Sequence, residues 1–207
     1  MTYYDVATGE RTELSGTTTR NWVAKASSLL VDELDAEPGT RLWIGLPSHW
    51  QRIVWLLAAW NIGALLVGSG ADVVISGPEL DVGASNDAPH RLASALRPFG
   101  VPFPEAPAGF IDLGAALPGQ PDAFVPYLQP ADDNPASELG ARTLTRAEIL
   151  GALVPSAERL LLTPGSVTRD LDAALAAALG GGSIVLVSGG SADDRDRLAQ
   201  QERARIS

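Results

Sequence analysis

The sequence predicts an α/β fold: a mainly parallel sheet with helices on both faces. Three observations lead there. Short, β-prone apolar runs alternate with amphipathic stretches. Three of the helical stretches end at Gly, or at Pro and Gly together. The runs Arg41–Pro47 and Ser183–Val187 lack the polar alternation of a half-exposed strand, so they read as interior strands.

From the amino end, Thr8-Gly9-Glu10 is a turn between two extended pieces of Tyr3–Leu14, a small hairpin. Residues Ser15–Thr19 supply helix caps. Trp22, Val23, Ala26, Leu29, Leu30 and Leu34 then mark one buried helical face, which Glu37-Pro38-Gly39 ends. After the strand at Arg41–Pro47, Ser48 is placed to cap a helix from about His49 to Asn61. That helix is apolar nearly all round and must be enclosed. Gly63 stops it, and Ala64–Val67 and Asp72–Ser76 are the next strands. The run Ile53–Ala71 contains no charged residue and is long enough to span a bilayer. Asn61, Gly63 and Val67-Gly68-Ser69-Gly70 interrupt it, so a helix followed by a short strand accounts for it better.

Between Pro78 and Pro135 the pattern weakens. A helix is expected from about Asp87 to Leu96. Eight prolines from Pro98 to Pro130 then exclude long helices and central strands. The stretch 97–140 is either an irregular surface connection with one short strand, near Phe110–Leu113, or a disordered linker from about Pro118 to Gly140. Periodicity returns with a helix at Arg146–Leu153, capped by Thr145 with Glu148 at the capping-box position. A strand at Arg159–Thr163, a helix at Asp170–Leu179 stopped by Gly180-Gly181-Gly182, the strand Ser183–Val187 and a charged helix at Asp193–Ala204 complete a single α/β domain over 1–207.

Composition removes several functions. There are no cysteines, hence no disulfides or thiolate chemistry, and cytoplasm is the default compartment. Only His49 and His90 are available as imidazoles, too few for a histidine-rich metal site. A net charge of −10 argues against nucleic acid and anionic membranes as partners. Lys25 is the single lysine.

Four stretches, in serial order, carry a family likeness: Leu14-Ser15 through Leu30; Pro38-Gly39-Thr40-Arg41 through Leu46-Pro47 to Ile62-Gly63-Ala64; Asp133-Asn134-Pro135-Ala136 with Leu144-Thr145-Arg146-Ala147-Glu148-Ile149-Leu150; and Leu160-Leu161-Leu162 through Gly180–Val187. Together they resemble the first half of the large N-terminal domain of the acyl-adenylate-forming enzymes, among them the acyl-CoA synthetases. The resemblance implies a Ser/Thr/Gly-rich phosphate loop with a lysine, in the interval Ser137–Thr143. That interval is short, with one glycine, one acid and no lysine, so its backbone amides and charges do not suit a triphosphate. Lys25 lies on the opening helix and cannot substitute. The family's later acidic motifs and its small C-terminal domain, with a catalytic lysine, would fall beyond Ser207. The resemblance therefore implies a non-catalytic relative, with no cofactor assigned.

Candidate ligand-binding residues are those at strand ends, where doubly wound sheets form crevices: Ser48, His49, Trp50, Ser76, Thr163 and Ser188. Each has a plain structural reading. His49 is a first-turn polar residue, Trp50 covers the sheet edge, and Trp55 and Trp60 are core. Gly180–Gly182 follows a helix and precedes a strand, so it is a helix stop rather than a phosphate loop. Ser188-Gly189-Gly190-Ser191 has better anion-binding geometry. Asp193 and Asp194 instead mark it as a helix start, as Asp170 and Asp172 do after Thr163. Three roles remain: a scaffold binding a small molecule or protein, an interaction module completed by another chain (or by a homo-oligomer), and a divergent enzyme with a site near His49.

Overall fold

A computed structural model describes residues 1–80 and 87–207. Strands β1 (Thr2–Asp5) and β2 (Glu10–Glu13) pair antiparallel, forming the expected hairpin. Helix α1 (Gly16–Ser28) starts at Ser15, whose hydroxyl accepts from the Thr18 amide at 3.0 Å. It runs on through a wider π turn at Leu29–Glu33, which buries both Leu29 and Leu30. Strand β3 (Arg41–Ile44) leads to α2 (Trp50–Ile62), whose stop is Gly63 at φ 74°, a left-handed conformation open to glycine. Strands β4 (Leu65–Leu66) and β5 (Val73–Ser76) follow. The uncharged run is thus a helix and a strand, and no described helix is long and apolar enough to cross a membrane.

The helix expected over Asp87–Leu96 is instead strand β6 (His90–Ala93), parallel to β5 with Ile75 opposite Leu92. Helix propensity, high for alanine and leucine, is a weak determinant, and burial of Leu92 and Ala93 beside an interior strand overrides it. The proline-rich stretch holds β7 (Ile111–Asp112), the single-turn α3 (Leu113–Ala116) and β8 (Pro135–Ser137). Lys25 ties part of it to α1 through the Pro118 carbonyl at 3.3 Å, the Gln120 carbonyl and an ion pair with Asp122 at 3.2 Å.

Strand β9 (Leu144–Thr145) precedes α4 (Arg146–Ala152), and the Thr145–Glu148 capping box is formed. Then come β10 (Arg159–Leu162), α5 (Val167–Gly180), β11 (Ser183–Ser188), α6 (Ala192–Glu202) and a short β12 (Arg205–Ile206). Helix α5 begins before Asp170, because the Ser166 hydroxyl caps it by accepting from the Arg169 amide at 3.2 Å.

The strands divide between two sheets, ordered β12-β10-β11-β1-β2 and β7-β6-β5-β3-β4-β8-β9. Both are parallel except at the outer strands β2 and β9. One continuous core contains α1, α2, α5 and residues from both sheets, including Leu160, Leu162, Ile184, Leu42, Ile44 and Ile75. On the other face of the first sheet, Leu161, Val185 and Val187 pack under Leu198 and Ala199 of α6. Leu160, Leu161 and Leu162 thereby alternate between two cores, as strand pleating requires. The other face of the second sheet carries Leu65, Val67 and Val74 against Trp43 and Phe110. A Cβ at Gly45 would lie 1.7 Å from the Trp43 ring, so glycine there lets the indole fold over its own strand.

Candidate functional site

Ser48, His49 and Trp50 stand at the start of α2, and the β10–α5 loop is tied to that turn through Gly165. His49, not Ser48, is the helix cap: its backbone is extended and its Nδ1 accepts from the Gln51 amide at 3.2 Å. Ser48 stands one residue outside the helix, and its hydroxyl serves a different network. Arg52, one turn further in, donates from Nη2 to Ser48 Oγ at 2.6 Å and to the Gly165 carbonyl at 2.9 Å. Its Nε donates to Asp170 Oδ2 at 2.8 Å, its Nη1 reaches the Leu46 carbonyl at 3.3 Å, and Nη2 completes the ion pair with Asp170. The Gly165 amide donates to Ser48 Oγ at 3.3 Å. Asp170 is fully buried. Burial pushes its carboxyl above the usual range, against the opposing pull of Arg52. This network bolts α2 to α5 and to the β10–α5 loop.

His49 is 3 % exposed, its ring edge-on to Tyr3 at 4.5 Å between centroids. Burial lowers its pKa to about 4, with Asp5 opposing, so the imidazole is neutral at pH 7. Since Nδ1 accepts a hydrogen bond, the single proton sits on Nε2. Burial, with Asp5 and Glu10 nearby, pushes the Tyr3 phenol up to about 12. Trp50 is buried and packs edge-to-face on Trp22 at 5.2 Å. His49 Nε2, Trp50 Nε1 and Ser76 Oγ have no hydrogen-bond partner among the described residues.

The other candidates are more scattered. Ser76 ends β5 in the second sheet, fully buried, and its carbonyl accepts from the Ser94 amide at 2.9 Å. Thr163 is half-buried after β10, with its carbonyl bonded to Arg169 Nη1 at 3.2 Å. Ser188 ends β11 opposite Asp5. Ser48 and Thr163 meet through the Gly165 loop, while Ser76 and Ser188 belong to different sheets. The two cavities described, of about 1000 and 310 Å³, are lined by other residues. Ser48, His49, Trp50 and Ser76 are buried, whereas Thr163 and Ser188 are only part-buried.

Sequence reasoning missed Arg52 and the burial of Asp170. A signal was present: one arginine among the apolar residues of an enclosed helix needs a buried anionic partner.

The interval Ser137–Thr143 proves to be a hairpin. β8 and β9 pair antiparallel with Ser137 opposite Leu144, and residues 138–143 form the connecting loop. The Glu138 amide donates to the Leu66 carbonyl at 2.8 Å, and its carboxylate pairs with Arg41 at 3.1 Å. Arg142 pairs with Glu148 at 2.7 Å. Gly181 terminates α5 at φ 73°. Gly189 and Gly190, both at positive φ, lead into Ser191 and its capping box with Asp194.

Two sheets enclosing a helical layer give the chain an α/β fold of the kind seen in acyl-CoA synthetases. It superposes on the acyl-CoA synthetase of Brucella canis with a TM-score of 0.78 at 16 % identity, over 100 % of this chain and 44 % of that one. Acetoacetyl-CoA synthetase from Streptomyces lividans gives 0.74 at 21 %, over 98 % and 38 %. The N-terminal domain of FACL13 from Mycobacterium tuberculosis gives 0.67 at 16 %, over 98 % and 56 %. At these identities the likeness is one of fold, and the chain spans 38 to 56 % of the length of those three proteins. No protein-family model matches the chain. A "TIGR03089 family protein" of Mycobacterium tuberculosis is 35 % identical over 204 residues, 91 % of this chain and 82 % of the relative, and the chain belongs to that family.

Proposed function

We propose that this protein is a non-catalytic, cytoplasmic scaffold of the acyl-CoA-synthetase-like fold that binds a small molecule or a protein partner and does not form acyl-adenylates. The β8–β9 hairpin carries this reading. At the place where the resembled enzymes hold a triphosphate, the loop has Glu138 committed to Arg41 and its amide committed to β4. Arg142, the loop's one cation, is held by Glu148. With one glycine, no lysine and its single cation paired, such a loop lacks the glycine-rich, lysine-bearing cradle that grips a triphosphate. Pyrophosphate release from ATP, assayed with a panel of carboxylic acids, is the test. No acyl-dependent release is expected, and its appearance would overturn the proposal.

A second reading, an interaction module completed by another chain, is favoured by the cavity of about 1000 Å³, an open and largely apolar groove in the helical layer. Nothing comparable supports an enzyme built on His49. Its imidazole is enclosed by Tyr3 and Trp50, and its Nε2 has no hydrogen-bond partner among the described residues.

A further inference from the structure

The smaller cavity lies at the far end of α2 from His49, about 20 Å along a helix of 13 residues. It is an open recess of about 310 Å³ between the end of α2, the chain joining α1 to β3, and a strap of residues 126–128. Backbone geometry shapes it. After the π turn, Asp35 adopts a left-handed φ of 52°, and the Ala36 amide closes back on the Leu30 carbonyl at 2.9 Å. A Cβ on Gly63 would lie 2.7 Å from the Pro130 side chain, so the glycine that stops α2 also seats the chain beyond the strap. The Tyr127 hydroxyl donates to Asp32 Oδ1 at 3.0 Å, which holds the strap against the π turn.

The lining narrows the occupant. Val31, Ile62 and Leu128 supply apolar surface, Tyr127 an aromatic ring, and Asp35 and Glu37 two carboxylates. No lysine or arginine lines the recess. The cations of the adjoining segments are engaged elsewhere, Lys25 with Asp122 at 3.2 Å and Arg41 with Glu138 at 3.1 Å. Asp35 and Glu37 form no ion pair among the described residues. Two uncompensated negative charges beside apolar surface and an aromatic ring complement a positive charge carried on an apolar body. The volume matches the low end of small-molecule sites.

We infer that this recess binds a small organic ammonium ion, with its charge at Asp35 and Glu37 and its alkyl part on Val31, Ile62 and Leu128. The inference rests on the small-molecule part of the proposed function and gives it a site and a ligand class. The two are read by separate experiments, since the recess shares no residue with the loop after β8. Acyl-dependent pyrophosphate release would overturn the non-catalytic reading without altering amine binding, and a failed amine titration would leave the pyrophosphate result as it stands. The test titrates the full chain with hexylamine, hexanol and hexanoate at pH 7, following backbone amide shifts by NMR. Hexylammonium should shift the Ala36 and Leu128 amides and bind about fivefold more tightly than hexanol, with hexanoate weaker still. Added salt should erode that margin. Asparagine tolerates a left-handed φ, so Asp35→Asn combined with Glu37→Gln keeps the backbone and should abolish the preference for amine over alcohol. Tyr127 is 79 % exposed, so Tyr127→Ala spares the core and should weaken amine binding about threefold. Equal binding of hexylamine and hexanol, a preference that survives the double variant, shifts confined to other residues, or no shift at all overturns the inference. If the tripeptide Gly-Lys-Gly binds more tightly than hexylamine, a protein lysine is the occupant and the inference falls as well.

Discussion

Arg52 and Asp170 carry opposite charges into a region from which water is excluded, 6 % and 0 % exposed respectively. Removing one partner of such a pair strands the other, at a cost of about 3–5 kcal/mol, whereas replacing both with apolar residues is often close to neutral. Arg52→Met should therefore lower the unfolding free energy in urea by about that amount, and Asp170→Leu in the Met background should restore much of it. A double variant no more stable than Arg52→Met would show that stranded charge is not the cause. His49 makes a second prediction. Its pKa is about 4 when folded and about 6.5 when unfolded. Between those values the unfolded chain binds the extra proton, so stability is fully present above pH 6.5 and is lost as pH falls toward 4. The loss should approach about 3 kcal/mol. Asparagine also caps helices well, so His49→Asn should keep α2 intact and flatten that slope. An unchanged slope would assign the acid sensitivity to other groups.

Element boundaries depend on backbone conformation and close approach more than on side-chain chemistry, and the end of α5 illustrates both. Gly181 needs its left-handed φ, but a Cβ there meets nothing within 4 Å. A Cβ on Gly182 would lie 2.4 Å from the Ser156 and Glu158 carbonyl oxygens, and one on Gly180 2.3 Å from the Ser156 amide. Gly181→Ala should cost about 1–2 kcal/mol, with a fall in melting temperature of about 2–4 °C per kcal/mol for a chain this size. Gly182→Ala should cost more, because backbone rather than a flexible side chain must yield. Thermal melts showing the reverse order would refute that account. The β6 strand belongs to this scale too. Its residues His90-Arg91-Leu92-Ala93 suit a helix as readily as a strand, and the neighbouring β5 and β7 decide between them.

At the scale of the molecule, the helical layer is closed against both sheets yet open along the groove. A large apolar concavity on a free monomer favours association or apolar ligands. Gel filtration combined with ANS fluorescence should therefore show dye binding or self-association by the isolated chain. A compact monomer that leaves the dye dark would argue for the plain scaffold over the interaction module.

Periodicity, caps and glycine stops in the sequence were enough to determine the α/β class, the parallel pairing, most element positions and the family resemblance, because these are local signals repeated along the chain. The absence of lysine and of a glycine-rich run in Ser137–Thr143 was equally legible. The partition of strands into two sheets was not, since strand spacing carries no record of which edges meet. Nor was the candidate site. Ser48, His49 and Trp50 were chosen for their position at a strand end, but whether such a crevice is open depends on what fills it. Here Tyr3 packs on His49 and Trp22 on Trp50, and Asp170 pairs with Arg52 from 118 residues away. Burial and charge pairing are properties of the packed chain, so only the tertiary structure shows these residues enclosed and the groove open elsewhere.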